Sequence, residues 1–299
     1  FLIKLKTRFM LVNNHIVAGI DEVGRGPLFG PVVACAVIFN KKIDISNIKD
    51  SKKISVSKRK TIYNQLMCED IDYGLGIINE NVIDKINILN ATKEAMLVAV
   101  KDLKQKPDLL LIDGNQLIKT KIKQEAIVKG DEKISQISAA SIIAKVTRDK
   151  IIDNYAMIYP MFGLDSHKGY GTKKHIEKLY QYGPTKIHRK TFKPIADIQK
   201  KIFLKYESSS ICNYAIHLIK QGISIDFFKI EKDYGHLVYK CKKLNVHVIS
   251  LDRYRLKASI KKISKKIIKK DSVNKVRLDV IYSDDKNIYP KVINSCEFS

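Results

Sequence analysis

The pattern of apolar and polar positions separates strand-like from helix-like stretches along most of the chain. Residues 16–40, IVAGIDEVGRGPLFGPVVACAVIFN, hold two runs rich in Val, Ile and Ala, parted by Gly24, Gly26, Pro27, Gly30 and Pro31. Such runs bounded by Gly and Pro predict strand, turn, strand. Residues 57–69 predict a helix, and DYGLGIIN at 72–79 a strand. Over 80–104, Ile83, Ile86, Leu89, Met96, Leu97 and Val100 return at roughly helical spacing. LLLIDG at 109–114 is a continuous apolar run ending in an acid, the pattern of a buried parallel strand. Residues 134–158 predict a further helix, whose small-residue stretch SAASIIAK suits close packing. Strands alternating with helices predict an α/β layered domain.

The pattern changes near Pro194. A helix is expected over 206–221, short strands over 222–251, a very basic helix over 253–270, and strands at 276–282 and 288–293. In KASIKKISKKIIKK, Ile260, Ile263, Ile267 and Ile268 keep helical spacing, which predicts an amphipathic helix with a solvated Lys face. The boundary falls near 198–205, giving expected domains of 1–198 and 199–299. No internal repeat is visible.

Composition narrows the partners. The chain carries 55 Lys and Arg against 31 Asp and Glu, a net charge of +24. Residues 200–299 hold 22 of these cations and 10 of the acids, so half of the excess sits in the last third. A basic surface favours polyanions, because neutralised phosphates release condensed counterions. Part of the excess reflects a general Lys, Ile and Asn bias. Cys35, Cys68, Cys212, Cys241 and Cys296 form no CxxC pair, so neither zinc site nor disulfide framework is expected. A reducing cytoplasm fits this usage. No apolar run is long enough for a membrane span. The first residues show no signal-peptide cleavage pattern, and Met10 is a candidate natural start.

Asp21 and Glu22 directly follow the apolar run IVAGI. Two neighbouring acids beside a glycine-rich turn are costly to bury without partners, and a metal ion would compensate them. Taken alone, they read more readily as a solvated strand end. Asp113 changes that balance, because it too ends a buried strand, where ligand groups of open α/β sheets gather. Asp131, in KGDEKISQ, adds a fourth carboxylate. Hard oxygen ligands suit Mg²⁺ or Mn²⁺ rather than zinc. Two such ions can activate water and stabilise the leaving oxygen in phosphodiester cleavage. The turn VGRGPLFGP is either a tight connection or a phosphate cradle supplied by Arg25. HKGYGTKKH at 167–175, with Tyr170, suits a nucleic-acid backbone and a stacked base or sugar, or is a solvated basic loop. His188, Arg189 and Lys190 in GPTKIHRKTF, with Lys52 and Lys53 in DSKKIS, add further cations.

These blocks resemble the ribonuclease HII family. The resemblance rests on IDEVGRGPLFGPVVACAVI (20–38), DSKKIS (50–55), IDKINILNATKEAM (83–96), LIDGN (111–115), KGDEKISQISAASIIAKVTRD (129–149), HKGYGTKKH (167–175) and GPTKIHRKTFKP (183–194). It implies an RNase H-like fold over about 16–195, a mixed five-stranded sheet flanked by helices; the element pattern and charge beyond it predict a small basic α/β domain outside the family core. It implies that Asp21, Glu22, Asp113 and Asp131 hold Mg²⁺ or Mn²⁺. Gly24, Arg25 and Gly26 match the family's ribose-sensing motif, and Tyr170 matches its stacking tyrosine, with Lys52 beside the substrate. Asp149, in TRD, is expected to support the ligands or the fold rather than to hold metal. The implied substrates are RNA–DNA hybrids and duplex DNA with embedded ribonucleotides, cut 5′ of the ribonucleotide to leave 3′-OH and 5′-phosphate. A monomer is expected.

Residues 206–225 and 277–298 resemble YraN-type proteins of the restriction-endonuclease-like superfamily. That resemblance implies a lost metal site, with His236, Val238, Ser250 and Asp252 where its acids and lysine would stand. A basic extension unrelated to that fold is the plainer alternative. Two functional alternatives stand beside the enzyme. One is a catalytically silent nucleic-acid binder, which the complete carboxylate set argues against. The other is a C-terminal module that cuts DNA itself.

Overall fold

The computed structural model describes residues 15–41, 55–198, 210–230, 234–241, 244–251, 276–281 and 296–298. Met10, Lys52, Lys53, Asp252, the expected helix over 253–270 and the expected strand at 288–293 lie outside them. The chain falls into two compact units, one of residues 1–149 with 187–192, the other of 150–186 with 193–299.

In the first unit, β1 (Val17–Val23) and β2 (Val32–Phe39) pair antiparallel across the glycine-rich turn, and β3 (Ile71–Ile78) adds antiparallel to β2. Helix α1 (Val56–Cys68) precedes β3, capped by Ser55, whose hydroxyl accepts from Lys58 N–H at 3.2 Å. Helix α2 (Glu80–Lys101) then crosses back, and β4 (Leu109–Asp113) pairs parallel with β1. β5 (Lys123–Ile127) completes the sheet parallel to β4, in the order β3-β2-β1-β4-β5. A short turn of helix, α3 (Gly130–Lys133), leads into α4 (Ser135–Ile158), which runs on into the second unit. The expected mixed five-stranded sheet flanked by helices is therefore present.

Alternation along β1 and β4 gives each sheet face its own core. Ala18, Ile20, Leu110 and Ile112 pack with Ile83, Ala95 and Ala99 of α2. Val17, Leu109 and Leu111 pack on the other face with Ile127, Ile134 and Ile137. Gly19 lies so close under α4 that a Cβ there would meet the Gln136 carbonyl carbon at 2.4 Å. The helix predicted over 80–104 is interrupted at Asn87, whose φ is +65°. Asn tolerates that conformation, and its side chain accepts from Asn90 N–H at 3.1 Å, capping the second segment.

The second unit holds the end of α4, a short helix α5 (Leu164–His167), α6 (Lys173–Tyr182) and α7 (Ser210–Lys220). Helix α7 buries Ile211, Cys212, Ala215, Ile216 and Ile219. It ends in a Schellman motif: Gly222 has φ +78°, its N–H donates to Ile219 O, and Ile223 N–H donates to Leu218 O, both at 3.0 Å. A separate five-stranded sheet follows, built from β6 (Ile225–Ile230), β7 (Tyr234–Cys241), β8 (Leu244–Leu251), β9 (Val276–Ile281) and β10 (Cys296–Phe298). Its first three strands form an antiparallel meander, and β9 pairs parallel with β8. Ile225 N–H donates to Asn154 Oδ1 at 3.3 Å, which fastens the start of β6 to α4.

Candidate active site

Asp21 and Glu22 stand near the end of β1, and Asp113 closes β4. The two strands are parallel neighbours, with Ile20 opposite Ile112, so their C-terminal ends share one edge of the sheet. Alternation sends Asp21 and Asp113 toward the face that carries α4. Lys129 adopts φ +56° and turns the chain so that Gly130 N–H donates to Asp113 Oδ1 at 2.6 Å. That bond brings Asp131, buried in the first turn of α3, beside the end of β4.

The electrostatics follow from this placement. Burial holds the Asp21 carboxyl well above the usual carboxylate range, and the charges of Glu22 and Asp113 raise it further. A hydrogen bond from Ser141 and one from Glu22 N–H, at 2.7 Å to Oδ1, act the other way. Burial also raises Glu22, while Arg25, whose Nη1 lies 3.3 Å from Glu22 Oε1, pulls it back. Buried acids that repel one another call for a proton or a cation. The donors are all carboxylate oxygens, so the set fits a hard divalent ion in kind. Among the described residues, no three His, Cys, Asp or Glu side chains are drawn into a metal-holding cluster.

The turn after β1 begins at Gly24, whose φ is +94° and whose Cβ, if present, would lie 2.2 Å from Arg148 Nε. Only glycine fits there. Arg25 and Gly26 are exposed. Asp149 forms an ion pair with Lys145 at 2.6 Å. The expectation that His188 and Arg189 offer surface cations is corrected: both are wholly buried, His188 edge-on to Phe29 at 4.8 Å between ring centroids. Sequence reading missed Arg148 and took Arg189 only as a further cation, because arginine in a basic chain reads as a solvated cation.

Tyr170 belongs to the second unit and is 43% exposed. Lys168 and Gly169 adopt φ of +50° and +85°, turning the chain at its base. The buried His175 lies with Nδ1 2.9 Å from Tyr170 O, stacks on His167 and is held near a pKa of about 4, chiefly by burial. Lys168 pairs with Asp153. The structure thus brings Asp21, Glu22, Arg25 and Asp113 near one another at the ends of β1 and β4, sets the Asp131 segment against Asp113 through Gly130, and carries Tyr170 on a separate unit.

A mixed five-stranded sheet with acids at the ends of adjacent parallel strands places the chain in the RNase H-like fold class. The family model for ribonuclease HII matches residues 18–195. Ribonuclease HII of Enterococcus faecalis is 51% identical over 185 residues, spanning 62% of this chain and 72% of that one. The Bacillus subtilis ribonuclease HII is 51% identical over 181 residues, 60% and 71% of the two chains. Among solved structures, ribonuclease H2 from Pyrococcus horikoshii is 30% identical, covering 61% of this chain and 96% of that one with a TM-score of 0.52. A chain of the PCNA:RNase HII complex from Archaeoglobus fulgidus is 26% identical, covering 60% and 95%, also with a TM-score of 0.52. The chain belongs to the ribonuclease HII family and is an endoribonuclease acting on RNA–DNA hybrids. No described helix is long and apolar enough to cross a membrane.

Proposed function

We propose that the chain cuts the RNA strand of hybrids and, in duplex DNA, cuts 5′ of an embedded ribonucleotide, leaving 3′-OH and 5′-phosphate ends. The observation that carries this reading is the placement of the buried Asp21 beside the half-buried Glu22 and Asp113, whose charges repel it, at the ends of β1 and β4, directly before the Gly24–Gly26 turn. Asp21, Glu22, Asp113 and Asp131 would hold Mg²⁺ or Mn²⁺, which supplies activation of water and stabilisation of the leaving oxygen. Gly130 N–H orients the Asp113 carboxylate, and Ser141 orients Asp21. The Gly24–Gly26 backbone contacts the ribose 2′-OH, the group that separates RNA from DNA. Tyr170 stacks on the following deoxyribose, and Lys52 contacts the substrate backbone. Residues 1–198 form the catalytic domain in this reading, and 199–299 a basic, non-catalytic extension of degenerate restriction-endonuclease-like type. The protein acts as a monomer in the cytoplasm, in removal of ribonucleotides from DNA.

Duplex DNA carrying one ribonucleotide, incubated with the full chain and Mg²⁺ or Mn²⁺, tests this. One cut 5′ of the ribonucleotide is expected. Absence of cutting by folded protein, or products ending in a 2′,3′-cyclic phosphate, would contradict it.

A further inference from the structure

Two arginines buried inside the first unit grip the turn that follows β1. Arg189 Nη2 donates to Gly24 O at 2.6 Å, Nη1 to Arg25 O at 2.9 Å and Nε to Gly30 O at 2.9 Å. Arg148, from α4, donates through Nε to Pro31 O and through Nη2 to Phe29 O, both at 3.0 Å. The backbone joins in: Gly30 N–H donates to Ile187 O at 3.1 Å, and Arg189 N–H to Leu28 O at 2.9 Å. The strap bearing Arg189 is hooked in turn to α2. Lys190 N–H, Thr191 N–H and the Thr191 hydroxyl donate to the Asp84 carboxylate at 2.9, 3.0 and 2.8 Å.

Both side chains have no solvent exposure, which removes them from direct phosphate contact. Burying a guanidinium is costly unless its donors are satisfied, and here carbonyls satisfy them. The planar fork lets Arg189 take three carbonyls at once, which the single ammonium of lysine cannot do in the same geometry. The direction of those carbonyls has a further effect. In a planar trans peptide the next N–H points opposite to the C=O. With Gly24 O and Arg25 O turned to Arg189, the N–H groups of Arg25 and Gly26 are aimed away from it.

We infer that Arg189, backed by Arg148, is a positioning residue that sets the ribose selectivity of the enzyme by aiming the Arg25 and Gly26 N–H donors at the 2′-oxygen beside the scissile phosphate. This rests on the reading of Gly24–Gly26 as the ribose sensor. The guanidinium touches no substrate; it acts through the peptide planes it holds.

The test uses the full chain as wild type, Arg189→Lys and Gly26→Ala, with folding checked by thermal denaturation. Two duplexes are compared, one with a single ribonucleotide and one with a 2′-fluoro nucleotide at that position. Folded Arg189→Lys is expected to lose about 30-fold in kcat on the ribonucleotide with KM changed less than about threefold. Its preference for the ribonucleotide over the fluoro analogue is expected to fall about tenfold. If folded Arg189→Lys keeps the wild-type preference while Gly26→Ala lowers it, the positioning role is wrong and the ribose sensor stands. If Gly26→Ala also keeps the preference, the sensor reading fails and takes the proposal with it. Should Arg189→Lys fail to fold, Asp84→Ala takes its place, since it unhooks the strap and leaves Arg189 intact. That variant is expected to lower the preference about threefold, and an unchanged preference would overturn the proposal.

Discussion

Asp21 is buried beside two other acids, and its carboxyl is raised well above the ordinary range. A carboxyl raised in the folded state costs stability once the pH exceeds its unfolded value, because the unfolded chain then ionises freely while the folded protein holds the proton or ionises at a disadvantage. Asp21→Asn is therefore expected to raise the unfolding free energy by about 1 kcal/mol at neutral pH without divalent ions, while turnover is lost. Equilibrium denaturation of both proteins in chelator checks this. His175 behaves with the opposite pH dependence. Its pKa near 4 lies below the ordinary 6.5, so its contribution is complete above about 6.5 and lost as the pH falls toward 4. The wild type is expected to lose up to about 3 kcal/mol from this group across that window. In His175→Asn that part of the pH dependence should vanish, as measured by urea unfolding at pH 7 and pH 4.5.

At the scale of elements, close approach of α4 to β1 sets the geometry around Asp21 and Ser141. Gly19 permits that approach. Gly19→Ala is expected to cost more than about 3 kcal/mol, because backbone rather than a flexible side chain must move. A thermal midpoint within two or three degrees of wild type, a shift of about 1 kcal/mol or less, would contradict that. The strands β1, β2 and β4 were legible in the sequence, since continuous apolar runs mark strands buried on both faces. β5 was not, because KQEAI is a half-exposed edge strand with little apolar signal. The kink in α2 was hidden because Asn87 leaves the flanking apolar period intact. Helix α6 was hidden in a Lys-rich stretch that reads as loop, although Thr172 caps it by accepting from His175 N–H at 3.3 Å. The four acids were legible individually, by their positions at strand ends. The Gly130 link between Asp113 and the Asp131 segment required the left-handed turn at Lys129, which no residue pattern announces.

For the whole molecule, half of the net charge lies beyond residue 199, outside the part matched by the family model. If this extension grips nucleic acid, its lysines contribute to the salt dependence of binding. Replacing Lys261, Lys262, Lys265 and Lys266 with Gln in the full chain is expected to flatten the slope of log K against log salt by about 1 to 4. Hybrid-duplex binding across a salt series reads this directly, and an unchanged slope would place the extension's charge away from the substrate. The central claim is that the carboxylates at the ends of β1 and β4 carry out a metal-dependent cut at a ribonucleotide. Single-turnover cleavage of a duplex with one ribonucleotide in Mg²⁺, by wild type and Asp113→Asn with binding measured on the same samples, tests it most directly. The expected result is a 5′ cut by the wild type and a loss of at least about 10³-fold in Asp113→Asn, with affinity nearly unchanged. Cleavage by folded Asp113→Asn at the wild-type rate would contradict it.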